Sequence, residues 1–268
     1  MGPGGYGAGY GRSPQVSGLV LLAGRRAVLE ALRAGKRRFE GIWYLEGGHG
    51  GPLKEIVDIA TSNRIPLFPV SRIELDKLAG EADHRGVLAR AEQTTEPTLD
   101  ELISLAKASN EPPLLVALDE IKDPQNIGAI IRTADAAGAH GIVTTTHRTA
   151  PAGGQGVERA SAGAAEYVPV SRVVNLRDAL ERCREAGMWV VGADMDGECS
   201  YTEADLKGPV VLVMGEEGRG IRPLTRKTCD MVVSIPMRGK VASLNVSASA
   251  AILLFEVARQ RRGATPGH

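Results

Sequence analysis

The chain has 268 residues, 43% of them hydrophobic and 24% charged, with 32 basic and 32 acidic residues, a composition that fits a globular protein burying one large core or two modest ones. No apolar run approaches the roughly 20 residues needed to cross a bilayer, and the N-terminus lacks the apolar segment of a secretory signal, so a cytoplasmic protein with no membrane partner is expected. Cys183, Cys199 and Cys229 are widely separated and show no C-x-x-C spacing, which argues for reduced thiols rather than disulfides, and no metal site is expected.

Residues 1–17, MGPGGYGAGYGRSPQVS, are Gly-rich, and such a segment has too little apolar surface to offset the entropy of ordering. From Gly24 the pattern GRRAVLEALRAG places Ala27, Val28, Ala31 and Leu32 at helical spacing, and IWYLE (42–46) then reads as a strand. A helix over 53–63 precedes LFPV, and Ser71 and Gly80 bracket another helix as N-cap and stop. GVLARAE (86–92) reads as a strand. Residues 18–92 thus form a first α/β unit, and 93–113, with proline near both ends and a short helical pattern between, suits a linker.

Beyond Pro113 the texture changes. Apolar runs suited to buried parallel strands occur at 114–118, 142–145, 189–193, 210–214 and 231–235, with helical patterns between most of them. A mostly parallel sheet covered by helices is predicted for 114–268. In such sheets ligands sit beyond the C-terminal ends of strands. Three polar segments hold such positions: DPQNIG after the first strand, GEEGRG after VVLVM, and PMRGKVASLN after VVSI.

Taken singly these segments are ordinary. Asn126, and Ser243 or Asn245, could be helix N-caps, and Arg132, beside the stripe of Ile127, Ile130, Ile131 and Ala134, could be solvated surface. GEEGRG could be a turn; its two glutamates disfavour phosphate and suit a ligand with positive charge or hydroxyls, or a partner such as Arg132. Two basic clusters on a neutral chain add a candidate footprint for a polyanion. One contains Arg25, Arg26, Arg33, Lys36, Arg37 and Arg38, and the other lies within 219–240.

Together the motifs are far more specific. N-I-G-x-x-x-R, then L-V-M-G-x-E-G-x-G-I, then I-P-M-x-G-x-V-x-S-L-N-V-S-x-A, in this order at these strand ends, resemble the three motifs of the SpoU (TrmH-like) branch of the SPOUT RNA ribose 2′-O-methyltransferases. The first unit, with GRRAVLEAL near its start and DHRGVLA near its end, resembles the L30e-like RNA-binding domain of the ribosomal RNA guanosine methyltransferases of that branch. Those enzymes more commonly carry H-Q-G where this chain has His84-Arg85-Gly86.

The resemblance implies an α/β protein with an N-terminal L30e-like substrate-binding domain and a C-terminal SPOUT domain tied in a trefoil knot, pairing as a homodimer through that region. It implies S-adenosyl-L-methionine as cofactor, with Gly215, Ile235 and Leu244 as contacts. Asn126, Arg132, Glu217 and Asn245 form the implied polar active-site set, with Ser243 as a further member, and Arg25, Arg26, Arg38, His84 and Arg85 are the expected RNA contacts. The implied reaction is attack of a ribose 2′-hydroxyl on the sulfonium methyl, which positioning alone accelerates strongly. The resemblance points to Arg132 at the deprotonation step; a guanidinium stays protonated, so Arg132 is assigned to stabilising the developing alkoxide and holding the adjacent phosphate. Glu217 would orient that arginine or the ribose, and the two asparagines would shape the loops. A guanosine of 23S rRNA is the expected target. A transfer RNA, an antibiotic-resistance adenosine and a non-catalytic RNA-binding role are the alternatives.

Overall fold

The computed structural model describes residues 18–48, 50–147, 155–240 and 243–262; the Gly-rich stretch 1–17 lies outside them. The front unit comprises β1 (Leu19–Ala23), α1 (Arg25–Ala34), β2 (Phe39–Leu45), α2 (Pro52–Ser62), β3 (Leu67–Val70), α3 (Arg72–Ala79) and β4 (Val87–Glu92). Its sheet runs β1-β4-β2-β3, with β4 antiparallel to both neighbours and β2 parallel to β3. One face is covered by α1 and α2, where Val28, Leu32 and Ile56 pack with Leu22, Ile42 and Ala89. On the other face α3 reaches only part of the sheet, burying Leu75 and Ala79 with Val70 and Leu88. This helix begins and ends on the expected residues: Ser71 accepts from the Glu74 amide, and Gly80 closes it at φ 61°. β1 is not evident from the apolar pattern, because LVLLA is short, shows no alternation and follows the Gly-rich stretch directly.

The larger unit contains α4 (Leu99–Lys107), β5 (Leu114–Asp119), α5 (Pro124–Ala136), β6 (Gly141–Thr145), α6 (Gln155–Ser161), β7 (Val170–Val173), α7 (Leu176–Glu185), β8 (Trp189–Ala193), β9 (Cys199–Ser200), β10 (Val210–Gly215), α8 (Pro223–Arg226), β11 (Met231–Ser234) and α9 (Val246–Arg262). The seven strands are ordered β7-β6-β5-β10-β8-β11-β9, and every pair is parallel. Helices sandwich the sheet, so all six residues of β5 are buried and its side chains alternate between two cores. Leu114, Val116 and Leu118 meet α5 and α9, whereas Leu115 and Ala117 meet α4 and α7.

That second core corrects one expectation. The proline-bounded segment 93–113 is not a linker throughout, because α4 buries Leu99, Leu102, Ile103 and Ala106 against the large sheet. Thr98 and Glu101 close a reciprocal capping box at its start. A short helix flanked by prolines looks autonomous in sequence; its apolar stripe shows where it belongs.

The two units are docked. Arg37 and Glu166 form an ion pair at 2.7 Å with each side chain only 5% exposed, and Lys36 donates to the Glu166 carbonyl. Tyr167 donates to Glu30 at 2.8 Å, and burial together with that carboxylate pushes the phenol up to about 12.

Candidate active site

The order of the large sheet reverses across β5 and β10: β6 and β7 lie outward of β5, and β8, β11 and β9 lie beyond β10. Parallel strands leave a crevice at their carboxyl ends where such a reversal occurs. Asp119 and Gly215, the last residues of β5 and β10, sit side by side there.

Asp119 is wholly buried and anchors the segment that follows β10. Its carboxylate accepts from the Arg222 amide at 2.9 Å and from Arg222 Nε at 2.7 Å, while Glu120, at a φ of 60°, takes another guanidinium nitrogen at 2.8 Å. Three residues on, α5 opens at Asp123, whose side chain accepts from the Gln125 amide, with Pro124 in the first turn. Asn126 therefore lies inside the helix and is not its cap. Its side chain is left for other work.

The segment after β10 turns back on itself, the Gly220 amide donating to the Glu216 carbonyl at 2.8 Å. Any Cβ on Gly215 would overlap the Gly220 backbone, and one on Gly220 would overlap the Asp194 carboxylate. Asp194, just past β8, steadies the turn by accepting from the Ile221 amide at 3.2 Å. Glu216 pairs with Lys122 at 3.0 Å, whose hydrogen bond holds this carboxyl below the usual carboxylate range. Glu217 does not pair with Arg132; its carboxylate accepts from Asn245 at 3.3 Å.

Asn245 joins the three segments. Its Oδ1 caps α9 by accepting from the Ser247 amide at 2.9 Å, and its Nδ2 donates to Asn126 Oδ1 at 3.0 Å as well as to Glu217. The cap role and the site role are held by one side chain. Beside this triad is a cavity lined by Gly215, Glu217, Ile235, Ser243 and Leu244. All three expected cofactor positions thus share one cavity with two of the expected polar residues. Arg132 is exposed on α5, six residues past Asn126 and roughly 9 Å further along the axis; it does not line this cavity.

The cavity also holds Asp194 and Met195, which lie outside the three motifs, and Met237, which the third motif contains without an assigned role. Asp194 carried a usable signal, since it is the first polar residue after an apolar parallel strand. Met214, Ile235 and Leu244 make apolar walls, with Asp194, Glu216 and Glu217 at hand. Such a lining fits a ligand with a flat apolar ring, hydroxyls and a cationic centre.

The expected RNA contacts fall at two ends of the front sheet. Arg25 lies at the start of α1 beside the turn at Gly86, at the end where the Leu45 amide donates to the Gly86 carbonyl, and exposed Arg26 follows it. Arg38 precedes β2 at the opposite end, in a cleft with Arg37 and Arg64. His84 is only 9% exposed; its ring contacts Asp76 at 2.7 Å and accepts from the Gly86 amide at 2.9 Å. It braces the turn that presents Arg85, an exposed residue at φ 44° paired with Asp83. The sequence-adjacent Arg33, Lys36 and Arg37 are engaged by Glu30 and Glu55, the Glu166 carbonyl and the Glu166 carboxylate respectively.

Comparison with known proteins gives a consistent family. Residues 113–255 match the SpoU rRNA Methylase family model, and residues 21–97 match that for RNA 2′-O ribose methyltransferase substrate binding. An uncharacterized tRNA/rRNA methyltransferase of Mycolicibacterium vanbaalenii is 41% identical over 95% of this chain and 81% of its own. The 23S rRNA (guanosine-2′-O-)-methyltransferase RlmB of Pseudomonas aeruginosa is 40% identical over 89% of this chain and 95% of its own. Among solved structures, the SpoU methyltransferase AviRb of Streptomyces viridochromogenes in complex with AdoMet aligns with a TM-score of 0.75 at 30% identity, covering 91% of each chain.

Proposed function

Because this chain belongs to the SpoU rRNA methylase family, we propose that it methylates a ribose 2′-hydroxyl of RNA, using S-adenosylmethionine, at a guanosine of 23S rRNA. The observation that carries the reading is the convergence of Asn126, Glu217 and Asn245 through hydrogen bonds of 3.0 and 3.3 Å beside the Gly215 cavity. The name of the Pseudomonas aeruginosa relative supports the guanosine target, and the complex of the Streptomyces viridochromogenes relative supports the cofactor.

Gly215, Ile235 and Leu244 would hold the cofactor, which supplies an electrophilic methyl on a cationic sulfur. The lack of a side chain at Gly215 lets the Gly220 backbone pack against the end of β10 and so sets the turn that lines the cavity, and the carboxylates nearby favour positive charge. Glu217, held by Asn245, orients the ribose so that its 2′-oxygen faces the methyl, and Ser243 adds a hydroxyl to the same wall. Asn126 fixes the Asn245 amide from the opposite side. Arg132, free of the Glu217 carboxylate, is left to the RNA phosphate and to the alkoxide that develops as the hydroxyl gives its proton to a base other than this guanidinium.

The same reading includes the trefoil knot and a homodimer formed through the larger unit, for which Phe255, 47% exposed on α9, offers an apolar contact. Arg25, Arg26, Arg38 and Arg85 serve RNA capture, with His84 as their support. No helix among the described residues is long and apolar enough to cross a membrane, and a ribosomal RNA substrate puts the protein in the cytoplasm. The test is incubation of purified protein with methyl-labelled S-adenosylmethionine and unmodified 23S rRNA, followed by mapping of the label. One 2′-O-methylguanosine is expected; label confined to transfer RNA or to an adenosine would replace the target, and no label in any RNA would overturn the activity.

A further inference from the structure

One face of the front sheet is covered at one end only. In the strand register Leu21 and Gly41 both oppose Arg90, and Trp43 opposes Phe68, so these side chains form a band across the face that α3 leaves open at Phe68. The Trp43 and Phe68 rings stack with centroids 5.2 Å apart and planes 21° from parallel, and the Arg90 guanidinium lies 5.4 Å from the centre of the Trp43 ring. Gly41 makes room beneath them: a Cβ there would sit 2.8 Å from Phe68 Cε2 and 3.3 Å from the Trp43 ring. Phe68 nevertheless remains 41% exposed. An aromatic ring stacked on a second one and left open to water resembles a stacking surface more than a core.

We propose that the Trp43–Phe68 stack is a platform for an unpaired base of the RNA substrate; the proposal rests on the RNA-methylating function above. Base stacking on aromatic rings accepts any base and requires one that is not already paired. The charge around the band suits the sugar-phosphate backbone of that strand. Arg90 lies 3.9 Å from Glu40, and Glu40 also lines the neighbouring cleft with Arg38 and Arg64, both exposed. Glu40 and Glu92 are the acidic groups in that cleft; Glu40 is spanned by Arg90, which leaves Arg38 and Arg64 facing the ligand. A second copy of this chain would bring the same arginines to the contact, so like charges oppose that occupant. A paired helix keeps its bases inside and offers no open ring face.

The test uses the full chain carrying Trp189→Phe, so that Trp43 is the sole tryptophan reporter. Single-stranded oligoadenylate should quench Trp43, and Phe68→Ala should weaken its affinity roughly fivefold or more, with Phe68→Tyr restoring it. Affinity for a blunt RNA duplex and for S-adenosylmethionine should be unchanged by all three variants. Equal oligoadenylate affinity in wild type and Phe68→Ala, or an equal loss toward duplex, would overturn the platform. So would a self-association that Phe68→Ala abolishes while RNA affinity is intact. Methylation of 23S rRNA by the unsubstituted chain is measured in parallel, so an inactive protein that still stacks oligoadenylate is told apart from an active one that does not.

Discussion

Asn245 holds Glu217 with the same amide whose oxygen caps α9: Nδ2 donates to Glu217 Oε2 at 3.3 Å while Oδ1 accepts from the Ser247 amide at 2.9 Å. The two jobs are chemically separable. Asn245→Asp keeps a good capping oxygen, so thermal stability should change by less than about 0.5 kcal/mol. It removes the donor and sets a carboxylate against Glu217 and Asn126 Oδ1, so methyl transfer in single turnovers should fall by roughly a hundredfold or more. Asn245→Ala should lose activity together with about 1 kcal/mol of stability. Equal activity losses with no difference in melting temperature between the two variants would separate Asn245 from the cap.

Gly215→Val is expected to act through the turn rather than through the core. Its added side chain meets the Gly220 backbone, which can move only by pushing residues 216–221 out of the cavity wall. S-adenosylmethionine affinity measured by calorimetry should weaken roughly tenfold or more, a loss of about 1.4 kcal/mol or greater. Unchanged affinity would remove Gly215 from the cofactor site.

Arg132→Ala should leave melting temperature and cofactor affinity near wild type, because the side chain is exposed and does not line the cavity. Methyl transfer should nevertheless be abolished. Retention of more than a few percent of the wild-type single-turnover rate would sink the assigned role in handling the RNA phosphate and the alkoxide.

A pH effect on stability is expected from His140. Burial, and then the charge of Arg261, hold its imidazole below the ordinary histidine range, and Nδ1 accepts from the Leu114 amide at 3.0 Å at the start of β5. The folded chain therefore favours the neutral ring more than the unfolded chain does. Stability is full above the ordinary histidine pKa, about 6.5, and declines as pH falls below it, because the unfolded state takes up the proton first. The drop in melting temperature between about pH 7 and pH 5.5 should shrink in His140→Gln; an identical slope in that variant would place the transition on another group.

Much of the fold was legible from local pattern. Apolar runs marked β5, β8 and β10 because strands buried on both faces need no alternation, and Ser71 and Gly80 bracketed α3 because caps answer to backbone groups only a few residues away. The motif glycines and polar residues likewise pointed to the ends of the strands that carry them. Partner choice was another matter. That Glu217 meets Asn245 instead of Arg132, that Arg37 is spent on Glu166, that His84 is buried behind Arg85, and that α4 joins the large core all depend on contacts between residues far apart in the chain. A periodic pattern reports which face of an element is apolar. Only the packed sheet and its crossovers decide which other element that face meets, and which charges neutralise each other before any substrate arrives.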